Sequence, residues 1–281
     1  METNSLEAVS MKQVVISRMD GLSISEFSDI LSVEEPLEIK IDYSAGIERT
    51  QKNISVTMRT PGNDLELAAG FLFTEGIISS KDDIKKVSHA QMSNMVTLEL
   101  AEGFTPSLMQ SDRNFYTTSS CGVCGKDSIQ SIRTVNSFCH LNKLQLDLST
   151  DLLFRLPDKL REAQRGFAAS GGLHASGLFS LDGELILLRE DVGRHNALDK
   201  LIGTALFEGL MPLNQHILLL SGRASFELIQ KAAMAGISIV AAIGAPSSLA
   251  VELAKEFDMT LLGFLKENRF NIYNAGRINF K

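Results

Sequence analysis

A chain of 281 residues, 44% of them hydrophobic and with a formal net charge of −7, is long enough for one large or two smaller domains and can bury a sizeable core. The acidic balance argues against non-specific nucleic-acid binding, and no apolar run approaches the ~20 residues of a membrane span. Three cysteines do not make a disulfide framework, and Glu2, Asn4 and Glu7 stand where a signal peptide would carry an apolar block, so a cytoplasmic protein is expected.

Residues up to about Leu31 mix polar and apolar side chains and read as a loosely ordered arm leading into a strand. Leu37, Ile39, Ile41 and Tyr43 alternate, as do Ile54, Val56 and Met58, with Gly46 in the intervening turn, which predicts an antiparallel hairpin. Pro61-Gly62 ends it, and Asn63-Asp64-Leu65-Glu66 resembles a capping box at the start of a helix that runs to Gly76. Val96, Leu98 and Leu100 alternate as a further strand. These elements predict a small α+β N-terminal domain over residues 1–114, ending in the polar, linker-like stretch Gly103 to Asn114 that contains Pro106.

The second unit, residues 115–281, opens on Ser119-Ser120-Cys121-Gly122-Val123-Cys124-Gly125-Lys126. Two thiols at this spacing can bind zinc, cycle as a disulfide or carry sulfur on a thiolate. Ile129, Ile132 and Val135 share one face of a helix predicted from Ser128 to Val135, so the cysteines precede a helix N-terminus. Unpaired N–H groups and the helix dipole favour the thiolate there, and Lys126 and Arg113 add positive charge. A structural zinc needs four ligands; the remaining sulfur is Cys139, and it and His140 would point about 100° apart on a helix, so no metal site is expected. A thioredoxin-like centre opens a helix directly after a strand, a context missing here. Cys139 reads as a packing residue.

Ser149 to Ala168 is helical by the spacing of Leu153, Leu156, Leu160 and Ala163, broken by Pro157. Strands Leu173 to Ser180 and Glu184 to Glu190 follow, joined by the turn Leu181-Asp182-Gly183. Helices Asn196 to Phe207, Ser225 to Ala235 and Ser248 to Phe257 then alternate with strands His216 to Leu220, Ile237 to Ile243 and Met259 to Phe264, before a final segment Arg269 to Tyr273. Ile217-Leu218-Leu219-Leu220 is apolar without alternation, as in a strand buried on both faces. A layered α/β domain with a largely parallel central sheet is expected.

Glu190-Asp191-Val192-Gly193-Arg194-His195 falls at a strand-to-helix turn, where α/β folds place ligands, and Arg194 and His195 suit an anion. Ser221-Gly222-Arg223 repeats the design at the next strand end. The alternative is a salt bridge among Glu190, Asp191 and Arg194 that caps the helix. After the last major strand, Phe264-Leu265-Lys266-Glu267-Asn268-Arg269 brings the charges of Lys266 and Arg269, the amide of Asn268 and the ring face of Phe264 to the same edge. His174 is either functional or a satisfied half-buried histidine; His89, His140 and His216 read as structural.

Read together, the cysteine octapeptide, Met58-Arg59-Thr60-Pro61-Gly62-Asn63-Asp64, Glu66-Leu67-Ala68-Ala69-Gly70-Phe71-Leu72 and Glu75-Gly76-Ile77-Ile78 closely resemble the FdhD family of formate dehydrogenase accessory sulfurtransferases. So do Gly171-Gly172-Leu173-His174-Ala175, the run Glu190 to Lys200, Ser221-Gly222-Arg223 and Ser247-Ser248-Leu249-Ala250, which extends the resemblance from about Glu35 to Tyr273.

The resemblance implies a sulfurtransferase that accepts sulfur from a cysteine desulfurase as a persulfide on Cys121, with Cys124 its partner in release. It passes that sulfur to the molybdenum or tungsten bis-pterin guanine dinucleotide cofactor before the cofactor enters the formate dehydrogenase catalytic subunit. The segment Phe264 to Arg269 would contact the dinucleotide, and a homodimer is implied. Also implied is a cytidine-deaminase-like fold for residues 115–281. The positions of a zinc deaminase's H-x-E and P-C-x-x-C are held here by Arg194-His195-Asn196 and Gly222-Arg223-Ala224-Ser225, which removes deamination. A cofactor-holding chaperone without sulfur transfer and a dithiol oxidoreductase are the competing activities.

Overall fold

The computed structural model describes residues 10–45, 48–90, 93–108, 138 and 145–281. Cys121, Cys124, Cys139, the helix expected over 128–135 and the 114/115 boundary lie outside the described residues.

The stretch expected to be an arm is a hairpin: β1 (Met11–Asp20) pairs antiparallel with β2 (Ser23–Ser32) around Gly21, in register throughout. Its apolar residues point mostly to solvent, Val15 being 74% and Ile24 69% exposed. Without a buried face there is no burial periodicity to read, which is why the sequence pattern fails here. The hairpin base is held by the Ser32 and Ser170 hydroxyls, 2.5 Å apart.

The predicted second hairpin is present as β3 (Glu35–Ala45) and β4 (Glu48–Arg59), with a bulge at Ile39/Lys40. Two further strands, β5 (Ile84–Ala90) and β6 (Met95–Leu100), complete a four-stranded sheet of order β4-β3-β6-β5. Helix α1 (Asp64–Thr74) packs on this sheet. Its start is not the expected capping box. Asn63 sits in the left-handed region at φ 55°, its side chain bonds Glu66 Oε1 at 3.2 Å instead of a backbone N–H, and Asp64 is gripped by Arg59 at 2.9 Å. A capping side chain needs an extended backbone to reach back over the first turn.

After β7 (Leu146–Leu148), α2 (Thr150–Ala163) runs straight through Pro157, and the break falls at Gln164, where ψ is 77° and α3 (Arg165–Ser170) begins. Proline in a helix costs about 3 kcal/mol. Leu153, Leu156 and Leu160, all fully buried on one face, outweigh it. The chain continues through β8 (His174–Ser180), β9 (Leu185–Asp191), α4 (Arg194–Glu208), β10 (His216–Leu220), α5 (Phe226–Met234), β11 (Ile239–Ala242), α6 (Ser248–Glu256), β12 (Thr260–Lys266), β13 (Arg269–Asn274) and β14 (Ile278–Phe280). This is a mixed α/β protein with six helices among its described residues.

The large sheet has the order β13-β12-β11-β10-β8-β9 and is not largely parallel. Only β10–β11 and β11–β12 are parallel pairs, while β8–β10, β8–β9 and β12–β13 are antiparallel. Apolar side chains leave both faces: Ile217 and Leu219 pack with Leu153, Leu156 and Leu160 of α2, and Leu218 and Leu220 pack with α4, α5 and the smaller sheet. No helix among the described residues is long and apolar enough to cross a membrane.

Candidate functional site

Strand direction decides which loops meet. The parallel strands β10, β11 and β12 end at one edge of the large sheet, and β8, running the other way, starts there at His174, opposite Asp191 at the end of β9. The loops after β10 and β11 lie back to back, with Gly244 N–H donating to Gly222 O at 2.9 Å; a Cβ on Gly244 would meet that carbonyl at 2.9 Å. Gly244 O in turn accepts from Phe264 N–H at 3.1 Å.

At this edge lies a cavity of about 750 Å³, within the roughly 300–1,000 Å³ of small-molecule sites. Leu265, Lys266, Glu267 and Asn268 line it from the turn after β12, Arg161, Gln164 and Phe167 from the α2–α3 junction, and His174 and Ser221 from the ends of β8 and β10. A bulge in β12 separates Leu265 from its neighbour: Phe264 holds φ 54°, an uncommon conformation for a bulky residue, and is 40% exposed without lining the cavity. Arg269 pairs in register with Lys266 across the turn, is exposed, and stands outside the lining.

Arg194, His195 and Arg223 also stand outside the lining. Arg223 is exposed. Arg194 opens α4, and its Nε is buried without a hydrogen-bond partner among the described residues. His195 is buried, with Nε2 3.3 Å from Ser225 Oγ and 3.8 Å from Glu227 Oε2. Burial pushes the Glu227 carboxyl up, but hydrogen bonds from His195, its own backbone and Ser225, with the charge of His195, bring it down to about 2. His174 is shifted the opposite way to a paired histidine: burial lowers its pKa, the positive charges of Arg194 and His195 lower it further, and Asp191 opposes them. The cavity thus presents a neutral-leaning imidazole with two cations, Arg161 and Lys266, two carboxylates, Asp158 and Glu267, and two amides, Gln164 and Asn268.

The two acids at the end of β9 are engaged elsewhere, not in a bridge to Arg194. Asp191 is buried against Lys200 Nζ at 2.7 Å and accepts from the backbone of Thr60 and Gly193, at 3.1 and 2.8 Å. Glu190 accepts from the backbone of Gly166 and Phe167, at 2.9 and 2.8 Å, and so caps α3. Sequence reasoning missed the wall formed by Arg161, Gln164 and Phe167, because it treated this stretch as one packed helix. Gln164 is only 3% exposed and its Nε2 has no hydrogen-bond partner among the described residues. A buried amide in an otherwise apolar spacing is the signal that could have found it.

A family model described as the FdhD/NarQ family matches residues 32–279. A sulfur carrier protein FdhD from Streptomyces avermitilis is 46% identical over 273 residues, 94% of this chain and 94% of its own. One of the same name from Mycolicibacterium paratuberculosis is 48% identical over 259 residues, 89% of this chain and 92% of its own. The crystal structure of a candidate formate dehydrogenase accessory protein from Desulfotalea psychrophila matches with a TM-score of 0.68 at 23% identity, over 96% of this chain and 99% of that one, and bears on the fold alone.

Proposed function

Because this chain belongs to the FdhD/NarQ family, we propose that it is a cytoplasmic sulfurtransferase that supplies sulfur to the molybdenum or tungsten bis-pterin guanine dinucleotide cofactor of formate dehydrogenase. The Cys121 thiolate attacks the outer sulfur of a persulfide on a cysteine desulfurase and expels the donor's thiolate, with no net oxidation. Attack of Cys124 on the inner sulfur of the Cys121 persulfide then releases hydrosulfide toward the metal. The Cys121–Cys124 disulfide left behind is reset by a dithiol reductant. The formate dehydrogenase catalytic subunit is the client, and the protein acts as a homodimer.

The observation that carries this reading is the match of relatives named sulfur carrier protein FdhD over nearly the whole chain. The cavity lined by Lys266, Asn268 and Gln164 supports a place for the dinucleotide, since it offers cations for phosphate and amides for a ring edge. In the same reading, Arg194, His195 and Arg223 flank the ligand from the neighbouring turns, and Phe264 and Arg269 approach it from the rim.

We also read residues 115–281 as the cytidine-deaminase-like unit and residues 1–114 as the smaller one. In favour of that layout, the starts of α4 and α5 meet at the His195–Ser225 contact of 3.3 Å, as the two metal-binding helix starts of a deaminase must.

Incubation with a cysteine desulfurase and cysteine, followed by intact-mass measurement, tests the transfer. One added sulfur on the native protein and none on Cys121→Ala is the expected result. Equal loading of the two, or a nucleotide-binding protein that never gains sulfur, would overturn the carrier in favour of a cofactor-holding chaperone.

A further inference from the structure

We propose that a second cavity, on the far side of α3, binds a phosphorylated small molecule through Arg165 and Arg189. This cavity has a volume of about 630 Å³ and lies between the base of the β1–β2 hairpin, the turn from Thr60 to Asn63, α3 and the outer strand β9. It shares Leu173 with the first cavity, but none of the cations there: α3 and the residue before it turn Gln164 and Phe167 to one side and Arg165, Gly166 and Ala169 to the other.

Three cations line it, Arg165, Arg189 and Lys200, against one carboxylate, Glu190. Lys200 is already paired with buried Asp191 at 2.7 Å and donates to Thr60 O at 2.8 Å. Both oxygens of Glu190 are taken by the backbone of α3. Lys200 offsets Asp191, Glu190 is turned to the α3 backbone and forms no ion pair with either arginine, and Arg165 and Arg189 have no ion-pair partner among the described residues. Arg189 donates one terminal N–H to Leu188 O at 2.8 Å, while its Nε is buried without a partner among the described residues. Two arginines without ion-pair partners among the described residues line one cavity, and their positive charge favours an anion there.

A phosphoryl group fits better than a carboxylate. Its charge approaches two and its three terminal oxygens can engage both forked guanidiniums, whereas a carboxylate would satisfy one. The walls formed by Met11, Ile30, Pro61 and Leu188 leave an apolar surface for the body of the molecule. This site is independent of the sulfur-transfer reading and would stand if that reading failed.

Calorimetry with inorganic pyrophosphate tests it, using full-length protein carrying Arg161→Ala and Lys266→Ala so that the first cavity's cations do not contribute. Pyrophosphate is expected to bind this protein, and adding Arg165→Gln should weaken binding about tenfold, the scale of one lost charge-assisted contact. Arg189→Gln should do the same. Arg165 is exposed and makes no hydrogen bond or ion pair among the described residues, so its loss does not threaten the fold and its result is decisive. GDP titrated into the same protein separates the sources: competition with pyrophosphate identifies a nucleotide phosphate, and pyrophosphate binding without GDP binding identifies a free inorganic anion. Absence of pyrophosphate binding at about 10 mM, or affinity unchanged by Arg165→Gln, overturns the site.

Discussion

Gly70 of α1 and Gly203 of α4 lie against each other where the two helices cross. A Cβ on Gly70 would run into the carbonyl of Asp199, and one on Gly203 into the carbonyl of Glu66. The crossing joins the helix on the smaller sheet to the helix on the larger one, so it fixes how β4 and its following turn meet Asp191 and Lys200.

Gly203→Ala should therefore destabilise the protein by about 1–3 kcal/mol, the range for overpacking. In an unobstructed helix the same change would stabilise by about 1 kcal/mol, so the sign of the effect is diagnostic. Urea unfolding that showed equal or greater stability would mean the helices do not approach this closely.

A buried ion pair joins α4 to α5 beside the end of α1. Lys231 Nζ lies 2.9 Å from both oxygens of Asp199 and from Thr74 Oγ1, with the Phe71 ring 5.4 Å away. Burial pushes the Asp199 carboxyl up, and Lys231 and Thr74 only partly pull it back. Lys231→Met, which strands the acid, should cost about 3–5 kcal/mol, and adding Asp199→Leu should recover most of the loss. A double variant no more stable than the single one would refute the pairing.

Glu227 predicts a pH dependence. Its folded carboxyl, at about 2, lies below the ordinary 4.5, so the stability it contributes is present above pH 4.5 and is lost as pH falls toward 2. Glu227→Gln should be less stable than the native protein at neutral pH by about 1 kcal/mol, a modest figure because the side chain is partly exposed and screened. The difference should shrink through that window. A gap that stays constant from pH 6 to pH 3 would remove the His195 contact as its cause.

Lys266 and Gln164 line the first cavity, whereas Arg269 does not. If GDP binds there, Lys266→Ala and Gln164→Leu should each weaken it by about 1–3 kcal/mol, and Arg269→Ala should have the smaller effect. Calorimetry in which Arg269→Ala weakened GDP as much as Lys266→Ala would move the phosphate contact from the cavity to the rim.

Much of the element order was written in the chain, because apolar spacing reports one-sided or two-sided burial locally. Strand His216–Leu220 falls where it was expected, and the three helix–strand repeats differ from expectation only at their ends. The thiol octapeptide together with the motifs from Met58 to Ala250 sufficed, in combination, for the family. Tertiary structure alone decided the rest. Whether β8 runs with or against β10 depends on pairings between distant segments, and that direction brings His174 to the edge where Lys266 arrives. Asp191 finds Lys200 and the backbone of Thr60, and not nearby Arg194, because α1 and α4 close on each other through Gly70 and Gly203. Three buried leucines carry α2 past Pro157 and put the break at Gln164, at the cavity wall, a balance of packing against a lost hydrogen bond that no local pattern contains.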